Sequence, residues 1–287
     1  MIYKKILIIG ADGQLGFDLM HSFGEKAVGL THKDIEVKNA QQVEEVIAAH
    51  KPDVVINTAA IVKSEWCELN KEECLAVNAV GAGNVAAAAN KIGAAVIQIS
   101  TDYVFDGSKD SFNESDQPNP LNVYGESKLE GERSVRKNNP KYYIVRSGWF
   151  FGKNIPHKGL DFPRAMLKLA KEKGEVRVVR DQFGCPTYTR DLAGKIKELL
   201  HRNAPFGVYH VTNHGRTSWY GFAKKAFELA KEKAKLIPIT TAESGSKIQR
   251  PKDSILENRN LSEVGIPLLR SWEEALAEYF REINESI

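Results

Sequence analysis

The sequence predicts an α/β fold: a doubly wound parallel sheet (Rossmann) with a smaller α/β substrate-binding lobe. Three observations carry this. Short apolar runs at Ile6–Ile9 and Val54–Ile56 read as strands buried on both faces, and Ala95–Ile99 as a further strand. Segments with apolar residues at helical spacing separate them. A glycine-rich turn, Gly10 to Gly16, stands between the first run and the first helical segment.

The elements follow in order. The strand Ile6–Ile9 stops at Gly10, and a helix runs from about Gln14 to Phe23. Ala27–Leu30 is a second strand. Ala40–His50 carries Val43, Val46 and Ile47 on one helical face. Pro52-Asp53 leads into the strand Val54–Ile56. Cys74–Ile92 is rich in alanine and other small residues, a helix able to lie close to a sheet, and Gly93 ends it before the strand Ala95–Ile99. Beyond about residue 146 the pattern loosens. Helices are expected over Phe162–Lys173, Thr189–His201 and Ser218–Lys233, and strands over Glu175–Arg180 and Tyr209–Thr212. Trp272, Ala275, Leu276, Tyr279, Phe280 and Ile283 mark a last helix.

Composition removes several function classes. Of 287 residues, 42% are hydrophobic and 27% charged, too apolar for a mostly disordered chain. The net charge of +3, spread along the chain, offers no footprint for nucleic acid or an anionic membrane. The lysines at 224, 225, 231, 233 and 235 alternate with apolar residues and read as the wet face of a helix. No apolar run reaches the roughly 20 residues of a membrane span, and Met1 leads into the first strand without a signal-peptide pattern. Cys67, Cys74 and Cys185 form no CxxC and suit a reducing, cytoplasmic setting. His210 and His214 sit on a strand and turn with no Glu between them, which argues against a helical zinc pair.

The motifs carry chemistry. Gly10, Gly13 and Gly16 form a GxxGxxG in a strand–turn–helix context. Glycine lets the backbone approach a pyrophosphate, and the helix N-terminus presents N–H groups to it. At the end of the second strand stand Thr31, His32 and Lys33, with no acid before Asp34. An acid there would bond a ribose 2′-hydroxyl, whereas cations accept a 2′-phosphate, so NADP(H) is preferred and NAD(H) stays open. Thr101 follows the fourth strand, where ligands of such sheets bind. Tyr124 and Lys128, four apart at a helix start, share one face. An ammonium beside a phenol lowers the phenol's pKa, making Tyr124 an acid–base group near neutrality.

The sequence of glycine turn, strand-end Thr101 and Tyr124-x-x-x-Lys128 resembles the extended short-chain dehydrogenase/reductases. Within them it closely resembles the dTDP-4-dehydrorhamnose reductase family, through Ser100-Thr101-Asp102-Tyr103-Val104-Phe105-Asp106-Gly107, Asp181-Gln182-Phe183-Gly184-Cys185-Pro186-Thr187-Tyr188, Ser218-Trp219-Tyr220 and Arg250-Pro251. The resemblance implies NAD(P)H-dependent reduction of the C4 ketone of a dTDP-6-deoxy-4-keto-hexose, within nucleotide-sugar and cell-surface polysaccharide biosynthesis. It implies Thr101, Tyr124 and Lys128 as the catalytic set. Cofactor contacts would be Gly13, Gln14, Leu15, Glu36, Val37, Ala60, Ile61, Val62 and the same three residues. Thr101, Asp102 and Trp149 would touch the sugar. Residues 1–146, with roughly 175–205, would be the NAD(P)-binding domain, and roughly 147–174 with 206–287 the sugar-nucleotide lobe.

Two departures matter. Val62-Lys63-Ser64-Glu65-Trp66-Cys67-Glu68 differs from the family's usual run, which puts the exact sugar in doubt. Some relatives dimerise through a metal on acidic side chains. Asp18 matches one such position but Arg190 occupies another, so no metal is expected, and a homodimer stays open. Two other readings compete. A sugar-nucleotide epimerase or dehydratase is disfavoured because Tyr103, not Glu, follows Asp102. A non-catalytic NADP-binding subunit, like the regulatory subunit of methionine adenosyltransferase, would not need Thr101, Tyr124 and Lys128 together.

Overall fold

A computed structural model describes residues 3–154 and 159–284. Its first half runs β1 (Ile6–Ile9), α1 (Gln14–Phe23), β2 (Ala27–Leu30), α2 (Ala40–His50), β3 (Val54–Asn57), α3 (Ser64–Leu69), α4 (Lys71–Leu75), α5 (Ala82–Lys91), β4 (Ala95–Thr101), α6 (Val123–Asn138) and β5 (Tyr142–Ser147). The second half adds β6 (Phe150–Phe151), α7 (Phe162–Lys173), β7 (Glu175–Val179), β8 (Phe183–Gly184), β9 (Thr187–Tyr188), α8 (Thr189–His201), β10 (Gly207–His210), β11 (Thr217–Ser218), α9 (Trp219–Ala230), β12 (Lys235–Ile239), α10 (Arg259–Glu263) and α11 (Trp272–Asn284).

The main sheet has the order β10-β5-β4-β3-β1-β2, and every pairing in it is parallel. Alternate residues of each strand point to opposite faces. Ile6, Ile8, Val54, Ile56, Ile97 and Val145 pack on one face with Leu15 and Leu19 of α1 and Leu192 and Ile196 of α8. Leu7, Ile9, Val55 and Val96 pack on the other with Val43, Ile47, Val85 and Ala89 of α2 and α5. Both faces are therefore covered, as uninterrupted apolar strands require. The chain leaves β1 to one side for β2 and crosses back for β3. The order reverses at that point, and a crevice opens beyond the strand ends.

Local chemistry sets the helix ends. Asn39 caps α2 by accepting from Gln42 N, and Asn122 caps α6 by accepting from Gly125 N at 2.9 Å. Asp161 caps α7, which Gly174 closes at φ 71°. The helix expected over Cys74–Ile92 spans instead α4, a π-helical stretch Ala76–Gly81 and α5. The expected helix Ser218–Lys233 is shorter: Ser218 is its cap and Lys231 its left-handed end, at φ 54°. Only Lys224 and Lys225 of the five lysines lie on it, while Lys231, Lys233 and Lys235 are exposed in the turn and in β12.

The expected division exchanged two strands. Glu175–Val179, placed with the platform, pairs with β12 and packs Val176 and Val178 against Ala223 and Phe227 of α9. Gly207–His210, placed with the lobe, is the edge strand of the main sheet, with Val208 opposite Ile144 of β5. Leu261 and Ile266, also placed with the lobe, pack in the core under α1 and α8. The lobe has its own core around Trp149, Phe151, Tyr188, Phe222, Trp272 and Tyr279. No helix among the described residues is long and apolar enough to cross a membrane.

Candidate active site

A cavity of about 780 Å³ lies at the carboxyl ends of β1, β2, β3, β4 and β5. Gly10, Gly13, Gln14, Leu15, Gly16, Thr31, His32, Glu36, Val37, Ala60, Ile61, Val62, Thr101, Asp102, Tyr124, Lys128 and Trp149 all line it. Among the residues named from the sequence, Lys33 does not. Leu30 ends β2, and its carbonyl accepts from both Gly10 N and Ala11 N. Asp34 then folds back, its Oδ2 accepting from Thr31 N and Thr31 Oγ1 at 2.8 Å each. That turn presents Thr31 and His32 to the cavity and turns Lys33 out.

The glycine turn is built by close approach. Gly10 has φ +84°, and a Cβ there would sit 2.5 Å from Thr58 Oγ1. That hydroxyl is held by the Ile9 and Gly10 carbonyls. Gly13 caps α1 with no side-chain bond and no acid in the first turn. The positive end of the helix dipole therefore stays uncompensated at the cavity wall, the arrangement that suits a phosphate group.

Strand β4 and helix α6 bring the reacting groups together. Thr101 Oγ1 donates to Asp102 Oδ1 at 3.1 Å and accepts from Tyr103 N at 3.2 Å. Asp102 also accepts from Ser254 Oγ at 2.6 Å. Burial pushes the Asp102 carboxyl up to about 6 against these hydrogen bonds. Lys128 Nζ donates to the Ile99 carbonyl at 2.6 Å, and burial brings the ammonium down to about 8. Burial pushes the Tyr124 phenol well above its ordinary value, against the lowering expected from Lys128, and the Thr101 hydroxyl pulls it part of the way back. The phenol is therefore a proton-bearing group, packed edge-on against Tyr103 with ring centroids 5.9 Å apart.

The lobe supplies the opposite wall. Trp149 has φ 54°, unusual for a residue with a Cβ. Its indole stacks on Trp219 at 3.4 Å and 1°, with Phe162 against Trp219 at 4.7 Å. Sequence reasoning gave no site role to Trp219, Phe162, Leu160 or Asp161, which also line the cavity. The signal for Trp219 was its place directly after a helix-capping serine. Ser64 lines the cavity, whereas Trp66 does not and is 38% exposed. Arg190 faces Glu278 and Glu282.

The RmlD substrate binding domain model matches residues 4–285. The chain is 39% identical to the spore coat polysaccharide biosynthesis protein SpsK of Bacillus subtilis, covering 97% of each chain. It is 35% identical to the dTDP-4-dehydrorhamnose reductase of Burkholderia thailandensis, covering 97% of this chain and 99% of that one. Its fold superposes on the dTDP-4-dehydrorhamnose reductase of Bacillus anthracis in complex with NADP with a TM-score of 0.93, at 38% identity, over 98% of this chain and 100% of that one. The chain belongs to the RmlD family of dTDP-4-dehydrorhamnose reductases.

Proposed function

We propose that this protein uses NADPH to reduce the C4 ketone of a dTDP-6-deoxy-4-keto-hexose, converting dTDP-4-dehydrorhamnose to dTDP-rhamnose for cell-surface polysaccharide. The observation that carries this is one cavity lined both by the glycine turn and by Thr101, Tyr124 and Lys128. The uncompensated N-terminus of α1 fits the cofactor's pyrophosphate. Thr31 and His32, which line the cavity after β2, would read the cofactor's 2′-phosphate. NADPH, when bound, supplies the hydride to the carbonyl carbon. Tyr124 passes its phenolic proton to the carbonyl oxygen. Thr101 orients that oxygen with Asp102 behind it, and the Lys128 ammonium stabilises the phenolate left behind. Trp149 and Trp219 wall the sugar. The Asp-Glu pair of a dehydratase is absent, because Tyr103 follows Asp102. Three free, buried thiols agree with a place in the reducing cytoplasm.

The assay follows NADPH absorbance with enzymatically made dTDP-4-keto-6-deoxy sugars. Turnover is expected, faster with NADPH than with NADH. Failure to oxidise NADPH with any such sugar overturns the reading, and a strong NADH preference overturns the roles of Thr31 and His32.

Gly184→Ala tests the aromatic wall. A Cβ at Gly184 would lie 2.4 Å from Trp149 Cε2 and 2.5 Å from its Nε1. The indole must give way, taking the stack on Trp219 with it. The KM for the sugar nucleotide is expected to rise about tenfold, the size of one lost apolar contact. NADPH affinity should not move. An unchanged KM removes Trp149 from the sugar site.

A further inference from the structure

A buried line of charge runs behind the reacting groups. Lys128, Glu132 and Arg146 are 4%, 0% and 1% exposed. Glu132 stands four residues after Lys128 on α6, hence on the same helix face. Its carboxylate accepts from Arg146 Nε at 2.8 Å, Arg146 Nη2 at 2.7 Å and Ser100 Oγ at 2.6 Å. Ser100 and Arg146 are partners in the register of β4 with β5. Three consecutive residues of β4 are thereby tied to one helix: Ile99 holds Lys128, Ser100 holds Glu132, and Thr101 meets Tyr124.

Neither Glu132 nor Arg146 lines the cavity. On its far side Arg146 meets the Phe105 ring at 5.2 Å, and its Nη1 is 3.5 Å from His210 Nε2. Burial and the Arg146 charge hold His210 down to about 3, so that ring is neutral and adds no charge. Glu132 is thus the anion between two buried cations.

We propose that Glu132 is a positioning residue of the reduction: clamped to Arg146 and Ser100, it holds the helix bearing Tyr124 and Lys128 in register with Thr101 and sets its negative charge against the Lys128 ammonium. The inference rests on the reductase reading. Its electrostatic side follows from the surroundings of Lys128. Burial disfavours the ammonium, and Glu132 from α6 is the foremost group favouring it. Cys74 from α4 adds a smaller push in the same direction, and from β4 the Ile99 carbonyl accepts a hydrogen bond. Tyr124 lies one turn back on the same helix. From the solvent side only Arg136 approaches Glu132 among the described ion pairs, at 3.6 Å.

The test uses the full chain with Glu132→Gln and the double variant Glu132→Gln/Arg146→Met. Removing one partner leaves Arg146 buried without its anion, whereas neutral, well-packed replacement of both is tolerated far better. The double variant therefore keeps the question open if the single one fails to fold. In both, the alkaline limb of kcat is expected to move down by about one pH unit, because Lys128 loses its proton earlier. At about pH 8, where half of the wild-type ammonium remains, kcat should fall about fivefold, while the KM for the sugar changes less than about threefold. NADPH affinity, read by nicotinamide fluorescence without any sugar, should show the same downward shift of its alkaline midpoint. A merely structural pair predicts a folded double variant with wild-type kcat and wild-type midpoints, and that result overturns the proposal. Wild-type protein that binds NADPH but reduces no keto-sugar overturns the reductase reading instead, and the fluorescence midpoint then still decides the role of Glu132.

Discussion

Tyr124→Phe should bind NADPH as the wild type does and reduce keto-sugar about 10²–10⁴-fold more slowly, the span ascribed to a positioned general acid. The substitution removes one oxygen and keeps the ring. The packing against Tyr103 at 5.9 Å therefore survives, and so does the helix start capped by Asn122. What is lost is the proton. The phenol is held above its ordinary pKa by burial, so below that value it carries the proton that the reduced oxygen needs. The sign follows: wild-type activity should not fall on the acid side through loss of Tyr124, because acid only fills the phenol. The alkaline side belongs to Lys128, which burial brings down to about 8. Stopped-flow loss of NADPH absorbance gives kcat, and fluorescence titration gives affinity. A variant within about twofold of wild-type kcat moves the proton donor to another residue.

What was legible in the sequence was local. The turn from Gly10 to Gly16 and the Tyr124/Lys128 pair declare themselves within a few residues. The strands β1, β3 and β4 are mostly apolar because both faces of the sheet are covered. The second half has no such grammar. Strands β6, β8, β9 and β11 are two residues each, too short for any period to show. Gly207–His210 and Glu175–Val179 are four and five residues long, and the partner strand decides which sheet each joins.

The same limit explains the site. Trp219 and the adjacent pair Asp161-Phe162 come from two distant segments that only the folded lobe brings to one wall. Lys33 does not line the cavity because the turn from Thr31 to Asp34, held by the Asp34 carboxylate on Thr31, brings Thr31 and His32 to it instead. The Tyr124 phenol went the other way because a lysine four residues on signals a neighbouring charge but not how dry the pocket is. Burial is the larger effect on this phenol.

Gly16→Ala should abolish useful NADPH affinity, raising the Kd about 100-fold, whereas Gly194→Ala should leave it unchanged. The two glycines differ in what a methyl would meet. At Gly16 a Cβ would stand 2.1 Å from the Gly10 carbonyl oxygen, 2.8 Å from Ala11 Cα and 2.9 Å from Gly10 C. All three are backbone atoms of the turn itself, so no side chain can swing aside. Either α1 lifts off the sheet or the turn opens. Leu15 and Leu19 anchor α1 in the core with every strand of that face, so the turn is the part that yields. Opening it withdraws the first-turn N–H groups from the place where a pyrophosphate would lie. Some stability goes too, about 1–3 kcal/mol by the usual cost of overpacking. At Gly194, exposed on α8, nothing lies within 4 Å of a Cβ. Alanine there should raise stability by about 0.5–1 kcal/mol through helix propensity. Thermal melts and fluorescence titration of the two variants separate the effects. Wild-type affinity in folded Gly16→Ala would show that the cofactor does not lie over this turn, and the assignment of the cavity would have to be redrawn.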